Sequence, residues 1–128
     1  MDNSSEGAKI LIVDDDPEVK NFLGMFLRLK GYPPARAVEK GLEALEIIRK
    51  EDIKLVLLDI MLPDLSGLEV LRRMKAIKEN ISVIMITGYP DEGRAEEAMK
   101  NGAYDYIVKP FDLNYLELSV LSKIAALI

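Results

Sequence analysis

Two hydrophobic periods alternate along the chain. Residues 10–13, 55–58 and 83–86 are unbroken apolar runs, as expected for strands buried on both faces of a parallel sheet. Between them the apolar positions take helical spacing. Asp16-Pro17 reads as a helix cap followed by proline in the first turn, with Val19, Phe22, Leu23, Phe26 and Leu27 on one face and Gly31 as the stop. Leu42, Leu45 and Ile48 form the next face after Gly41. Ser66-Gly-Leu-Glu69 spells a capping box for a helix facing inward through Val70, Leu71, Met74 and Ile77. Asp91 caps a further helix ending near Gly102, with Met99 as its main core anchor. Residues 104–108 predict a fifth strand and 112–128 a fifth helix. The weakest strand is 34–38, because Pro33-Pro34 withholds two ladder donors and marks a short edge strand.

The pattern therefore predicts five βα units, an α/β fold without internal repeats. Right-handed crossovers place helices on both faces of one parallel sheet. Ligands in such folds bind beyond the carboxyl ends of the strands, where the strand order switches direction. Four of the five strand ends carry reactive side chains: Asp14, Asp15 and Asp16 after the first strand, Asp59 after the third, Thr87 after the fourth and Lys109 after the fifth.

Composition narrows the chemistry. The 128 residues suit one domain with a sizeable core, and that core is aliphatic, since Trp is absent and there are only three Phe and five Tyr. With neither Cys nor His, thiolate catalysis, disulfides, Cys-bound zinc, an imidazole base and His metal ligands are excluded. Any metal must sit among oxygens, which selects a hard cation, Mg²⁺ or alternatively Mn²⁺. A formal charge of −5 disfavours nucleic acid or an anionic membrane as a direct partner. Residues 1–7 read as a polar, flexible tail without a secretory signal, and no stretch is long and apolar enough to span a bilayer. The expectation is a soluble cytoplasmic protein. The apolar, uncapped end at 124–128 reads as a truncation point of a longer chain.

Taken singly, an Asp after a strand is as readily a helix cap, Thr87-Gly88 a turn and Lys109 a solvated cation. Six polar residues at one edge of one sheet are harder to explain as independent turns. Clustered carboxylates repel, and a divalent cation held by Asp15 and Asp59 would relieve that repulsion. An ionised Asp59 can attack phosphorus to form an acyl phosphate. Lys109 then supplies positive charge and Thr87 a hydroxyl donor to the phosphoryl oxygens, a matter of positioning and charge neutralisation more than of acid–base work.

The segment Leu57-Leu-Asp59-Ile-Met-Leu-Pro63-Asp-Leu-Ser-Gly67-Leu-Glu resembles the receiver domains of two-component response regulators. Ile12-Val-Asp14-Asp15, Thr87-Gly88 and Gly102-Ala-Tyr-Asp-Tyr106-Ile-Val-Lys109-Pro110-Phe follow in the family's order. The resemblance covers residues 8–128 and implies a flavodoxin-like strand order, 2-1-3-4-5. It further implies phosphoryl transfer to Asp59 from a sensor histidine kinase or phosphotransfer protein. Mg²⁺ would be held by Asp14, Asp15, Asp59 and the carbonyl of Met61. Thr87 and Lys109 would contact the phosphoryl group, Tyr106 would be the aromatic switch coupled to Thr87, and Lys109–Pro110 would be cis. Residues 87–109 would move to control an output domain, in the same chain or a separate one. Leu113, Leu116, Val120, Ile124 and Leu127 make a core stripe on the last helix. Leu118, Leu121, Ala125 and Ile128 make a second stripe, for a homodimer through the 91–128 face or for a downstream segment. That helix has Lys123 but no Arg, which leans away from a winged-helix output.

Competing functions make different demands. A haloacid-dehalogenase phosphatase needs a second acid two residues after its nucleophile, where this chain has Met61. A flavin carrier of this topology needs small hydroxylated residues where Asp14, Asp15 and Asp16 stand. A docking module independent of phosphorylation would have no use for the full acceptor set.

Overall fold

The computed structural model describes residues 8–88, 92–109 and 112–124. The expected tail at 1–7, Tyr89, Asp91, the Lys109–Pro110 bond, and Ala125, Leu127 and Ile128 of the terminal stripes lie outside them. Strands β1 (Ile10–Val13), β2 (Ala35–Val38), β3 (Leu55–Asp59), β4 (Ser82–Thr87) and β5 (Asp105–Val108) alternate with helices α1 (Pro17–Leu29), α2 (Gly41–Lys50), α3 (Gly67–Ile77), α4 (Glu92–Lys100) and α5 (Leu113–Ile124). All strand pairs are parallel, in the order β2-β1-β3-β4-β5 that the resemblance implied. The strand after Pro33-Pro34 is at the edge, as the missing donors require.

Strand alternation divides the core into two layers. Leu11, Val13, Val56, Leu58, Val83 and Met85 face α2, α3 and α4. Ile10, Ile12, Leu55, Leu57, Ile84 and Ile86 face α1 and α5, meeting Leu23, Phe26, Leu27, Leu116 and Val120. Each side chain buried in this way contributes about 1.5–3 kcal/mol, and the continuous runs of β1, β3 and β4 supply both layers at once.

Local chemistry sets the helix ends. The Asp16 carboxylate accepts from Glu18 N at 2.9 Å, and α1 closes with Tyr32 N donating to the Leu27 carbonyl and Gly31 N to Arg28 (both 3.0 Å), Gly31 taking φ = 73°. Ser66 accepts from Glu69 N at 3.2 Å. The reciprocal half of the box is replaced: the Glu69 carboxylate pairs with Arg72 and Arg73.

Several inward faces are shifted from the expected ones. Phe22 and Leu42 are exposed; α2 buries Leu45 and Ile48 as expected, and Ala44 and Ile47 join them in place of Leu42. On α4, Met99 is exposed and Ala98 is fully buried. On α5, Leu113 is exposed, while Ser119 lies buried between Leu116 and Val120 and donates to Asp105 at 2.6 Å. On α1, α2 and α5 more apolar residues are present than one helix face can bury, and contact with the sheet selects among them; on α4, which is rich in charge, the small Ala98 faces the core and the larger Met99 does not. The second α5 stripe is exposed at Leu118 and Leu121, as expected.

Candidate functional site

The backbone continues to draw the strand ends together after the regular ladders stop. Asp14 N donates to the Val38 carbonyl at 3.0 Å, Ile60 N to Ile86 at 3.1 Å and Lys109 N to Thr87 at 2.7 Å. These bonds set Asp14, Asp59, Thr87 and Lys109 at the carboxyl edge of adjacent strands, with the switch in strand order at β1 and β3. Gly67 is required just behind, because a side chain there would meet the backbone of Asp59 and Ile60 at under 3 Å.

Asp14, Asp59 and Thr87 are buried, and Asp15 is exposed at the rim. Carboxylate oxygens of Asp14, Asp15 and Asp59 lie within 4.8 Å of one another. Lys109 Nζ reaches Asp14 Oδ2 at 3.0 Å and Asp59 Oδ2 at 3.6 Å. Asp14 Oδ1 accepts from Asp16 N at 2.9 Å and Asp59 Oδ1 from Met61 N at 3.2 Å. Burial, then the facing Asp14 carboxylate, pushes the Asp59 carboxyl up to about 6, against the opposing pull of Met61 N and Lys109. For Lys109 burial acts downward, but the Asp14 hydrogen bond and the charges of Asp59, Asp14 and Asp16 outweigh it, so its affinity for the proton is raised.

The donor set consists of oxygens, three of them carboxylate, and one carboxyl is raised by burial and by the acid that faces it. Those features fit a hard divalent cation. The sequence-predicted residues Asp14, Asp15, Asp59 and Lys109 are thus brought together, and Thr87 ends the strand beside Asp59. Tyr106 lies apart, its ring packed against the α2–α3–α4 core layer and its buried hydroxyl without a hydrogen-bond partner among the described residues.

Three features escaped the sequence reading. Arg94 approaches the Met61 sulfur at 3.6 Å. Asp105 accepts from the hydroxyls of Tyr115 (2.8 Å) and Ser119 (2.6 Å), joining β5 to α5. Asp64 caps α2 across the fold. Only the acidic type of Asp64 and Asp105 is a signal in sequence, and their partners lie in other elements.

A family model described as the response regulator receiver domain matches residues 10–121. Sporulation initiation phosphotransferase F of Bacillus subtilis is 41% identical over 112 residues, 88% of this chain and 90% of that protein. Transcriptional regulatory protein ZraR of Klebsiella oxytoca is 39% identical over 122 residues, 95% of this chain but 27% of the relative, so the chain spans about a quarter of that protein's length. The crystal structure of a CheY-like receiver domain protein from Methanospirillum hungatei JF-1 superposes with a TM-score of 0.86 at 31% identity, covering 93% of this chain and 94% of its own. With the strand order and the acidic edge already in place, these matches assign the chain: it belongs to the response regulator receiver domains of two-component signalling.

Proposed function

We propose that the domain accepts a phosphoryl group on Asp59 from a histidine kinase or phosphotransfer protein in the cytoplasm, in a reaction supported by Mg²⁺. The observation that carries this reading is the Asp14–Asp59–Lys109 arrangement, a carboxylate nucleophile beside a second acid, with one lysine 3.6 Å from the nucleophile and 3.0 Å from that acid. An Asp59 oxygen forms the new bond to phosphorus, and the donor's bond to phosphorus breaks, the electron pair leaving with the donor. Lys109 and the Thr87 hydroxyl balance the charge on the equatorial oxygens. Asp14, Asp15, Asp59 and the Met61 carbonyl would hold Mg²⁺, with Mn²⁺ as a substitute, and the bound cation supplies charge neutralisation for the phosphoryl oxygens. The residue two positions beyond the acceptor is Met61, with Arg94 against it, and no acid stands there to protonate an ester leaving group. This favours self-directed phosphotransfer over turnover of outside phosphate esters.

A phosphoryl group adds about 1.5–2 negative charges. Drawing Thr87 toward it would bias the segment 87–109, whose α4 buries Ala98 alone among its described residues. Tyr106 is the proposed reporter: an unpaired buried hydroxyl carries a desolvation cost that an exposed one does not, which keeps a second position within reach. Moving such an equilibrium from 1:99 to 99:1 takes about 5.5 kcal/mol of differential stabilisation. An output domain, or a second copy packing on the exposed Leu118 and Leu121, would read the change. Incubation with acetyl phosphate should give a phosphoprotein with Mg²⁺ and none with excess chelator, and Asp15→Asn should cut the rate at limiting Mg²⁺ at least tenfold. Labelling at full rate in chelator would remove the metal from the account.

A further inference from the structure

The loop between Asp59 and Gly67 carries Met61, and it is fixed at its base. Ile60 N donates to Ile86, Gly67 N donates to the Ile60 carbonyl at 2.6 Å, and Met61 bridges Ser66. At its tip, Leu62 and Leu65 pack partly into the core layer, and Asp64 reaches outward to another element. Asp64 Oδ1 accepts from Gly41 N at 2.8 Å, and Oδ2 from Leu42 N at 2.9 Å. Those are the first two amides of α2, a helix whose own cap position, Lys40, makes no side-chain cap bond. Oδ1 also accepts from Leu65 N at 2.9 Å, so one carboxylate fastens the loop to itself and to the helix.

The approach is built into the sequence on the other side as well. A Cβ on Gly41 would lie 2.5 Å from Val70 Cγ2 and 3.5 Å from both Asp64 Oδ1 and Leu65 Cβ. Glycine is what lets the start of α2 come close enough for both of its amides to reach the loop. Two observations therefore agree: a cap supplied across 22 residues of sequence, and a bare position that makes room for it.

We infer that Asp64 is a positioning residue, which holds the β3–α3 loop against the start of α2 so that the Met61 carbonyl keeps the place where a divalent cation would meet it. This rests on the proposed role of Met61 as a ligand. It adds that α2, which contributes no side chain to the acidic cluster, sets the precision of the metal position through Asp64. Groups that orient metal ligands without touching the metal typically change affinity by about 10–100-fold when removed.

The test separates the loop from the helix cap. Asp64→Ala should weaken Mg²⁺ binding about tenfold by calorimetric titration and lower the melting temperature by about 4 °C through loss of the cap. Lys40→Ser supplies α2 with a cap of its own, and the backbone at Lys40 is extended, as a capping residue requires (φ −122°, ψ 145°). The double variant Lys40→Ser/Asp64→Ala keeps the net charge of the native chain. It should recover the melting temperature and still bind Mg²⁺ about tenfold more weakly than the native protein. Native Mg²⁺ affinity in the double variant, or in Asp64→Ala itself, would overturn the inference and reduce Asp64 to a helix cap. A native protein that binds no Mg²⁺ would instead defeat the underlying metal-site reading, and the inference with it.

Discussion

Replacing Lys109 with Met is expected to destabilise the metal-free domain by about 3 kcal/mol at pH 8. The ammonium sits 3.0 Å from Asp14 Oδ2 and 3.6 Å from Asp59 Oδ2, and both carboxylates are more than nine-tenths buried. Without it two acids face each other with no compensating charge, a situation that costs about 3–5 kcal/mol when fully buried. The lower end applies because Lys109 is itself one-fifth exposed. The pH dependence identifies the cause. Asp59 already has its folded value raised from 3.8 to about 6, and removing Lys109 raises it further. A raised carboxyl contributes stability that is complete below its unfolded value and is lost as pH climbs through the folded value. The penalty should therefore shrink as pH falls from 8 toward 4, where Asp59 takes up a proton. Urea unfolding at the two pH values measures this directly, and an equal loss at both would mean that Lys109 acts through packing instead.

The second large effect has the opposite sign. Asp59→Asn should stabilise the metal-free domain at pH 8 by up to about 3 kcal/mol, the equivalent of the rise from 3.8 to about 6. Below pH 4 the gain should vanish, since the native carboxyl is then protonated in the folded and unfolded chains alike. The amide keeps an acceptor for Met61 N and removes the charge that Asp14 opposes. Mg²⁺ should narrow the difference by stabilising the native protein more than the variant. An acid that weakens the fold it sits in, and is held there by a lysine, is the pattern expected where a reactive group has been retained at the expense of stability. A variant no more stable than the native chain at pH 8 would contradict the repulsion on which the site's chemistry rests.

The unbroken runs of β1, β3 and β4 made the sheet legible, because strands buried on both faces leave no polar positions to confuse the period. Double proline announced the edge strand for a reason equally local. The acidic cluster was legible through topology: once five parallel strands were inferred, Asp14, Asp59, Thr87 and Lys109 had to share an edge. Helix faces were less so. Phe22, Leu42, Met99 and Leu113 are apolar residues at positions beside the buried stripe, and the choice between them and Ala44, Ala98 or Ser119 is made by contacts with the sheet that no window of sequence contains. Asp64 and Asp105 show the same limit for polar groups. Each reads as an ordinary turn or strand-end acid, and its partners are supplied by a different element.

Asp59 is the proposed acceptor, and the decisive observation is where on the chain the phosphoryl group becomes covalently bound. Native protein and Asp59→Asn, each treated with acetyl phosphate and Mg²⁺, can be compared by intact mass and by peptide mapping after borohydride trapping of the acyl phosphate. One phosphoryl group is expected on the native chain, mapped to Asp59, and none on the variant. Equal labelling of the variant, or an adduct mapped to Asp14 or Asp15, would contradict that assignment.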